Sequence, residues 1–212
     1  MVATVDEHKM RHLDGEQRKQ KIVRSAVRAF SEWGFRGSTT RRLARGAGIS
    51  EALLYRYFEN KEDLFRAVLG YLLESFRLSF PEALDGPGDD ADDRAFFLEV
   101  GEETEKHFLK HPEELRILLH AALEHHGLAE QYFERQYRPI YDAVIARIRR
   151  GQREGRYRMV SPRGAARSFI GMINYSVLIR VLFEDRVLPD SERGDASLFA
   201  DVFLNGISHD KS

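Results

Sequence analysis

Cysteine is absent from all 212 residues, so the chain has no disulfide framework, no thiol nucleophile and no thiolate metal site. Such usage is expected in a reducing cytoplasm. Long apolar runs are missing as well. None approaches the roughly 18 residues of a membrane span, and the polar start at Asp6, Glu7, His8 and Lys9 lacks a signal-peptide core. A soluble, cytoplasmic protein with no membrane partner is therefore expected. Phosphate-loop, dinucleotide and nucleophile-elbow patterns are missing too. Gly46-x-Gly48 lacks a third glycine and follows no strand. No Glu-x-x-His pair of the kind a di-iron helical bundle needs is found, and no alternating strand or internal repeat is visible.

Helical periodicity fills the chain instead. Residues 1–17 read as a polar, mobile tail. Ile22, Ala26, Ala29, Phe30 and Trp33 make one stripe ending at Gly34, and Gly37-Ser38 breaks the chain and offers a cap. Asn60 caps a helix through Leu64, Phe65, Val68, Leu72, Leu73 and Phe76. Pro81 and Asp85-Gly86-Pro87-Gly88-Asp89-Asp90 form the clearest linker. Further stripes follow through Phe97 to Phe108, Leu115 to Leu123, Phe133 to Ile148, Ala166 to Val181 and, after Pro189, Leu198 to Ile207. The fold class is all-α. Charge is uneven along it: residues 1–66 carry 14 Lys+Arg against 9 Asp+Glu and the remainder 19 against 25, so a +5 end joins a −6 remainder. A basic end on an acidic chain is the footprint of a nucleic-acid module.

The motif lies inside that basic end. Two short helical patterns flank Gly48-Ile49-Ser50, where glycine supplies the left-handed angle that ends a helix and Ser50 caps the next. Leu43, Ala44 and Ala47 make a narrow inward face, and Leu54 and Phe58, four apart, close over it. Ala52, Leu53, Arg56 and Tyr57 point elsewhere. Two helices joined by a short glycine-containing turn make a helix-turn-helix, whose second helix lies in the DNA major groove.

Residues 21–69 resemble the N-terminal domain of the TetR family of transcriptional regulators. The likeness runs through Ala26, Phe30, Gly34, Gly37, Thr39-Thr40, Leu43-Ala44, Ala47-Gly48, Ser50, Leu54-Tyr55, Tyr57-Phe58 and Asn60-Lys61-Glu62. It implies a three-helix DNA-binding domain over 18–65 and a larger helical effector-binding and dimerisation domain over 66–212. It also implies a homodimer on palindromic double-stranded operator DNA, nucleoid-associated in the cytoplasm, acting as a repressor released by a largely apolar small molecule. No cofactor and no catalysis are implied. Thr39 and Thr40 then meet a phosphate at a helix start. Arg41 reaches a base edge, Arg being the bidentate reader of guanine. Ser50, Ala52 and Leu53 occupy the reading turn, with apolar contact such as a thymine methyl open to the last two. Tyr55 and Lys61 grip phosphate, and Tyr57 stands where His or Tyr is usual. Glu51 departs from the pattern, since a carboxylate there repels phosphate unless aimed at a cytosine amine. The resemblance puts the helices at about 162–184 and 195–208 in the dimer interface, and Phe169, Ile173, Val177, Leu198, Val202 and Phe203 either serve that interface or complete the monomer core. Thr104, Tyr137, Tyr141, Phe169 and Asn174 are expected as the polar handles and apolar wall of an effector pocket, the other reading of Tyr137, Tyr141 and Asn174 being satisfied core residues.

Weaker patterns remain. Glu103, His107 and His111 share one helix face and can be drawn as a metal site, although helical histidines are commonly solvated. Leu123-Glu124-His125-His126 is a looser cluster. The arginines at 147, 149, 150, 153, 156 and 158 either contact nucleic acid or complement a helix C-terminus before Gly155. Two other functions are thereby drawn: an effector-independent architectural DNA binder of the same fold, and a helical metal-dependent enzyme built on Glu103, His107 and His111.

Overall fold

The computed structural model describes residues 15–79, 92–124, 127–183 and 195–208. The tail through residue 14, the linker around Pro81 and residues 85–90, His125, His126 and Pro189 lie outside them. Among the described residues are nine helices: α1 Gly15–Gly37, α2 Thr40–Ala47, α3 Glu51–Tyr57, α4 Lys61–Ser79, α5 Asp93–Lys110, α6 Pro112–Leu123, α7 Gly127–Arg153, α8 Pro162–Phe183 and α9 Ala196–Ile207. The sole pairing of β type among them is an isolated bridge between Tyr157 and Ser208. The fold is all-α.

Local chemistry sets the helix ends. Thr39 caps α2 and Ser50 caps α3, each accepting from the backbone N–H three residues on. Gly48 ends α2 at φ 69° and ψ 34°. At α4 the Asn60 carboxamide accepts from the Asp63 N–H at 2.8 Å, and the Asp63 carboxylate accepts from the Glu59 N–H at 3.3 Å. Pro112 opens α6, where its missing N–H costs nothing.

Three boundaries differ from the sequence reading. α1 begins at Gly15, inside the stretch read as tail, and it does not stop at Gly34. That glycine adopts φ 64° and ψ −177°, a kink after which the chain continues to Gly37. Ser38 does not cap α2. Its buried hydroxyl turns back to the Gly34 carbonyl at 2.7 Å and the Ala29 carbonyl at 3.0 Å, closing a hook, so capping passes to Thr39.

α1 crosses α2 and α4, and Phe30, Phe35 and Phe65 fill their junction with Phe30–Phe65 and Phe35–Phe65 centroids 4.9 and 5.2 Å apart. A second aromatic knot joins α5, α8 and α9, where Phe97, Phe169 and Phe203 meet at 4.9–5.1 Å. α6 wedges between α1 on one side and α7 and α8 on the other. One apolar core therefore runs from Ile22 to Ile207.

The expectation that no segment approaches a membrane span needs correction. α8 is long and apolar enough by length and composition, with mean hydropathy 1.3 over 18 residues. Its buried positions, Ala166, Phe169, Ile170, Ile173, Val177 and Val181, recur every three or four residues against the other helices. That is the pattern of a core helix.

Candidate nucleic-acid interface

The turn between α2 and α3 is built as the residues dictate. Leu43, Ala44 and Ala47 of α2 and Leu54 and Phe58 beyond it are buried in the domain core. Ala52, Tyr55 and Arg56 are left on the outer face of α3, with Leu53 and Tyr57 half-buried at its edges. Tyr55 is 50% exposed, and its hydroxyl makes no hydrogen bond among the described residues.

The start of α2 divides its donors. The Thr39 oxygen accepts from the Arg42 N–H at 3.3 Å, which leaves its hydroxyl hydrogen free to donate outward. Thr40 spends its hydroxyl hydrogen on the Glu51 carboxylate at 2.8 Å. An incoming phosphate would thus meet the Thr39 hydroxyl and the unpaired first-turn N–H groups, while the Thr40 hydroxyl is already engaged.

Glu51 has a purpose that sequence reasoning missed. Besides Thr40, it pairs with Arg41, Nε to Oε1 at 3.4 Å. It therefore ties α2 to α3 and is itself partly offset in charge by Arg41 on the outer face of the turn. The Arg41 side chain is 80% exposed, and holding Nε leaves its terminal nitrogens to project. Arg42 is exposed but folded back along the surface of its own domain: it donates to the Gly37 carbonyl at 2.8 Å and lies over the Trp33 ring at 4.2 Å. Lys61 is half-buried, donating to the Phe35 carbonyl at 2.8 Å above the Phe35 ring at 4.3 Å. Two of its three N–H bonds remain for a phosphate. Arg18 and Lys21 of α1 line a groove with Gly48, Ile49 and Leu53. Neither cation was singled out in the sequence, since only the packing of α1 on α2 brings them beside the turn that leads into the reading helix.

Behind this domain, α6, α7 and α8 enclose a cleft of about 770 Å³. Its walls include Leu115, Leu118 and Leu119 of α6, Phe133 and Tyr137 of α7, and Asn174 and Val177 of α8. Phe108, Tyr137 and Asn174 also border a narrow inner cavity of about 10 Å³, close to the volume of one water. Thr104, Tyr141 and Phe76 line that inner cavity. The Thr104 hydroxyl donates to the Val100 carbonyl at 2.6 Å and is therefore occupied. Phe169 lines neither space, because it belongs to the knot with Phe97 and Phe203. Burial, followed by the nearby Glu114 carboxylate, pushes the Tyr137 phenol well above its ordinary pKa.

The six residues read as a dimer interface divide. Phe169, Ile173, Val177 and Phe203 are buried within the single chain and have no surface for a partner. Leu198 and Val202, four apart on α9, are 59% and 53% exposed. Tyr175 and Leu182 of α8 are exposed as well.

The metal constellation is dismantled. Glu103 pairs with Lys106 at 2.9 Å, and the buried His107 Nε2 lies 2.8 Å from the Glu114 carboxylate, which also accepts from the Tyr132 hydroxyl. Among the described residues no His/Asp/Glu group is arranged to hold a metal. Half of the arginine run is absorbed in ion pairs at the end of α7, Arg147 and Arg156 with Asp93 and Arg150 with Glu154, while Arg149, Arg153 and Arg158 are exposed.

Two family models match the chain. Residues 22–68 match "Bacterial regulatory proteins, tetR family", and residues 110–205 match "AefR-like transcriptional repressor, C-terminal domain". The HTH-type transcriptional repressor SCO4008 of Streptomyces coelicolor is 30% identical over 142 residues, spanning 67% of this chain and 68% of the relative. The tetracycline repressor protein class C of Escherichia coli is 36% identical over 78 residues, which span 37% of this chain and 33% of that protein. A TetR transcription regulator from Haloarcula marismortui superposes with a TM-score of 0.67 at 21% identity, covering 92% of this chain and 100% of that one.

Proposed function

This chain belongs to the TetR family of DNA-binding transcriptional regulators, and from that premise we propose that it is a repressor that grips a palindromic operator as a homodimer and lets go when a small molecule fills the cleft. The observation that carries the proposal is the continuity of the two sites. α6 supplies one wall of the cleft and packs along α1, while α4 runs from Lys61 beside the reading helix to Phe76 at the inner cavity. An occupant that displaces either helix shifts the spacing of two reading helices in a dimer.

At DNA, the Thr39 hydroxyl, Tyr55, Lys61, Arg18 and Lys21 supply phosphate grip, which positions the protein without reading sequence. Arg41, steadied by Glu51, reads a base edge, and Ala52 and Leu53 offer apolar contact. Ser50 sits at the start of the reading helix as its cap, and Tyr57 braces its far end. The exposed apolar residues of α8 and α9 support a two-fold pairing of those helices. Division of labour falls near residue 65, with DNA contacts before it and effector and partner contacts after it. Catalysis has no part in this reading.

Footprinting of DNA flanking the gene tests it. We expect a protected inverted repeat with half-sites about 34–36 Å apart or a multiple, lost when a cleft ligand is added. Protection of many unrelated sites, unaffected by any ligand, would favour an architectural role.

A further inference from the structure

Among the described residues lining the cleft the charged side chains are of one sign: Glu130 and Glu134 are acidic, and no described lysine, arginine or histidine joins them. Both carboxylates lie on α7 beside Phe133, whose ring is 49% exposed. That ring stacks on Tyr137 at 5.2 Å and 16°, and Tyr137 lies parallel to Phe108 at 6.2 Å and 8°. Three near-parallel rings thus lead from the mouth inward. Glu130 makes no ion pair among the described residues. Glu134 pairs with Arg138 at 2.9 Å, and Arg138 also approaches Asp142 at 3.4 Å, so this stripe of α7 holds three carboxylates against one guanidinium.

An exposed aromatic face beside an unneutralised carboxylate favours one kind of guest. A cation over the ring is attracted by its quadrupole, and the carboxylates add Coulomb attraction that an anion of equal size would meet as repulsion. Leucines 115, 118 and 119 opposite demand that the rest of the guest be apolar. Resting on the reading of this cleft as the effector site, we propose that the effector is a lipophilic organic cation. Its positive group sits between Phe133 and Glu130, and its apolar body fills the space between α6 and α8.

Matched probes separate charge from shape. Calorimetric titration of the full-length protein with tetraphenylphosphonium, tetraphenylborate and neutral triphenylphosphine oxide should rank the phosphonium first, by at least about tenfold over the borate. Glu130→Gln should weaken the phosphonium by about fivefold and leave the neutral probe unchanged, whereas Phe133→Ala should weaken all three. Tetraphenylborate binding as tightly as the phosphonium, or an unaltered phosphonium affinity in Glu130→Gln, overturns the cationic guest and leaves the cleft as the effector site. Failure of all three probes to bind overturns both readings.

Discussion

The backbone N–H of Arg36 donates to the carboxylate of Glu124 at 3.1 Å, across 88 residues of sequence. This bond joins the hook at the end of α1 to the end of α6. Gly34 makes it possible: a Cβ there would collide with the Glu124 carboxylate and press on the His120 ring, and its φ of +64° already disfavours a side chain. The helix that walls the cleft is thereby fastened to the DNA-binding domain within two residues of Phe35, which in turn receives Lys61.

Loosening this fastening should uncouple the sites. Glu124→Ala is expected to keep operator affinity within about threefold, while ligand-induced release falls from the about 5–150-fold typical of such coupling towards none. Titrating ligand with and without operator measures it, and by reciprocity both directions must fall together. An unchanged coupling factor would assign transmission to α4 alone. Gly34→Ala should cost about 1–3 kcal/mol of stability from backbone strain, before any clash is counted, read as a lowered melting temperature.

At DNA the residues should sort into grip and readout. Tyr55→Phe is expected to weaken operator and unrelated DNA alike. Lys61→Ala should do so too, lower the salt slope by about one, and also cost some stability through the lost Phe35 contact. Arg41→Ala should instead relax preference at one base position by about 1–3 kcal/mol. Gel-shift competition across salt concentrations distinguishes these. If Arg41→Ala weakened all sequences equally, its role would be phosphate grip.

Assembly can be tested at neighbouring residues with opposite fates. Val202→Asp, at a site more than half exposed, should yield a folded monomer that has lost operator binding. Phe203→Asp should fail to fold, because it buries a charge in the Phe97–Phe169 knot. Light scattering with circular dichroism reads both. A dimeric Val202→Asp protein would move the interface off this face of α9.

Glu105 gives the chain a pH-dependent weakness. Burial chiefly, together with the Asp195 carboxylate, raises its pKa above the ordinary 4.5, against the pull of Arg180. Its Oε1 is buried without a hydrogen-bond partner among the described residues. The folded state therefore holds this proton more tightly than the unfolded chain. That contribution to stability is complete below about pH 4.5 and is lost as pH rises through the folded-state pKa. Glu105→Gln should consequently change the melting temperature little at pH 4 and raise it at pH 7–8. A gain of about 1 kcal/mol corresponds to about 2–4 °C at this chain length. An equal shift at both pH values would remove ionisation as the cause.

Apart from the two ends of α1 and the cap of α2, the helices and the turn between α2 and α3 were legible in the sequence, because they rest on neighbours within a few residues. Capping by Ser50 and Asn60, the left-handed Gly48 and the Leu43–Ala47 face all act over one or two turns, so their spacing is written directly in the chain. Tertiary structure alone decided who spends which side chain on what. Glu51 looked hostile to DNA until the α2–α3 crossing gave it Thr40 and Arg41. His107 could be drawn either as a metal ligand or as a solvated helical histidine, and it is neither, because Glu114 comes to it from α6 inside the core. Phe203 and Val202 are adjacent and both apolar, yet one is core and the other surface, because a helix turns 100° between them and only the packed neighbours say which direction is inward. The Arg36–Glu124 bond belongs to the same class. A contact between residues 88 apart leaves no periodicity to read, since its partners are brought together only by the closing of the whole core.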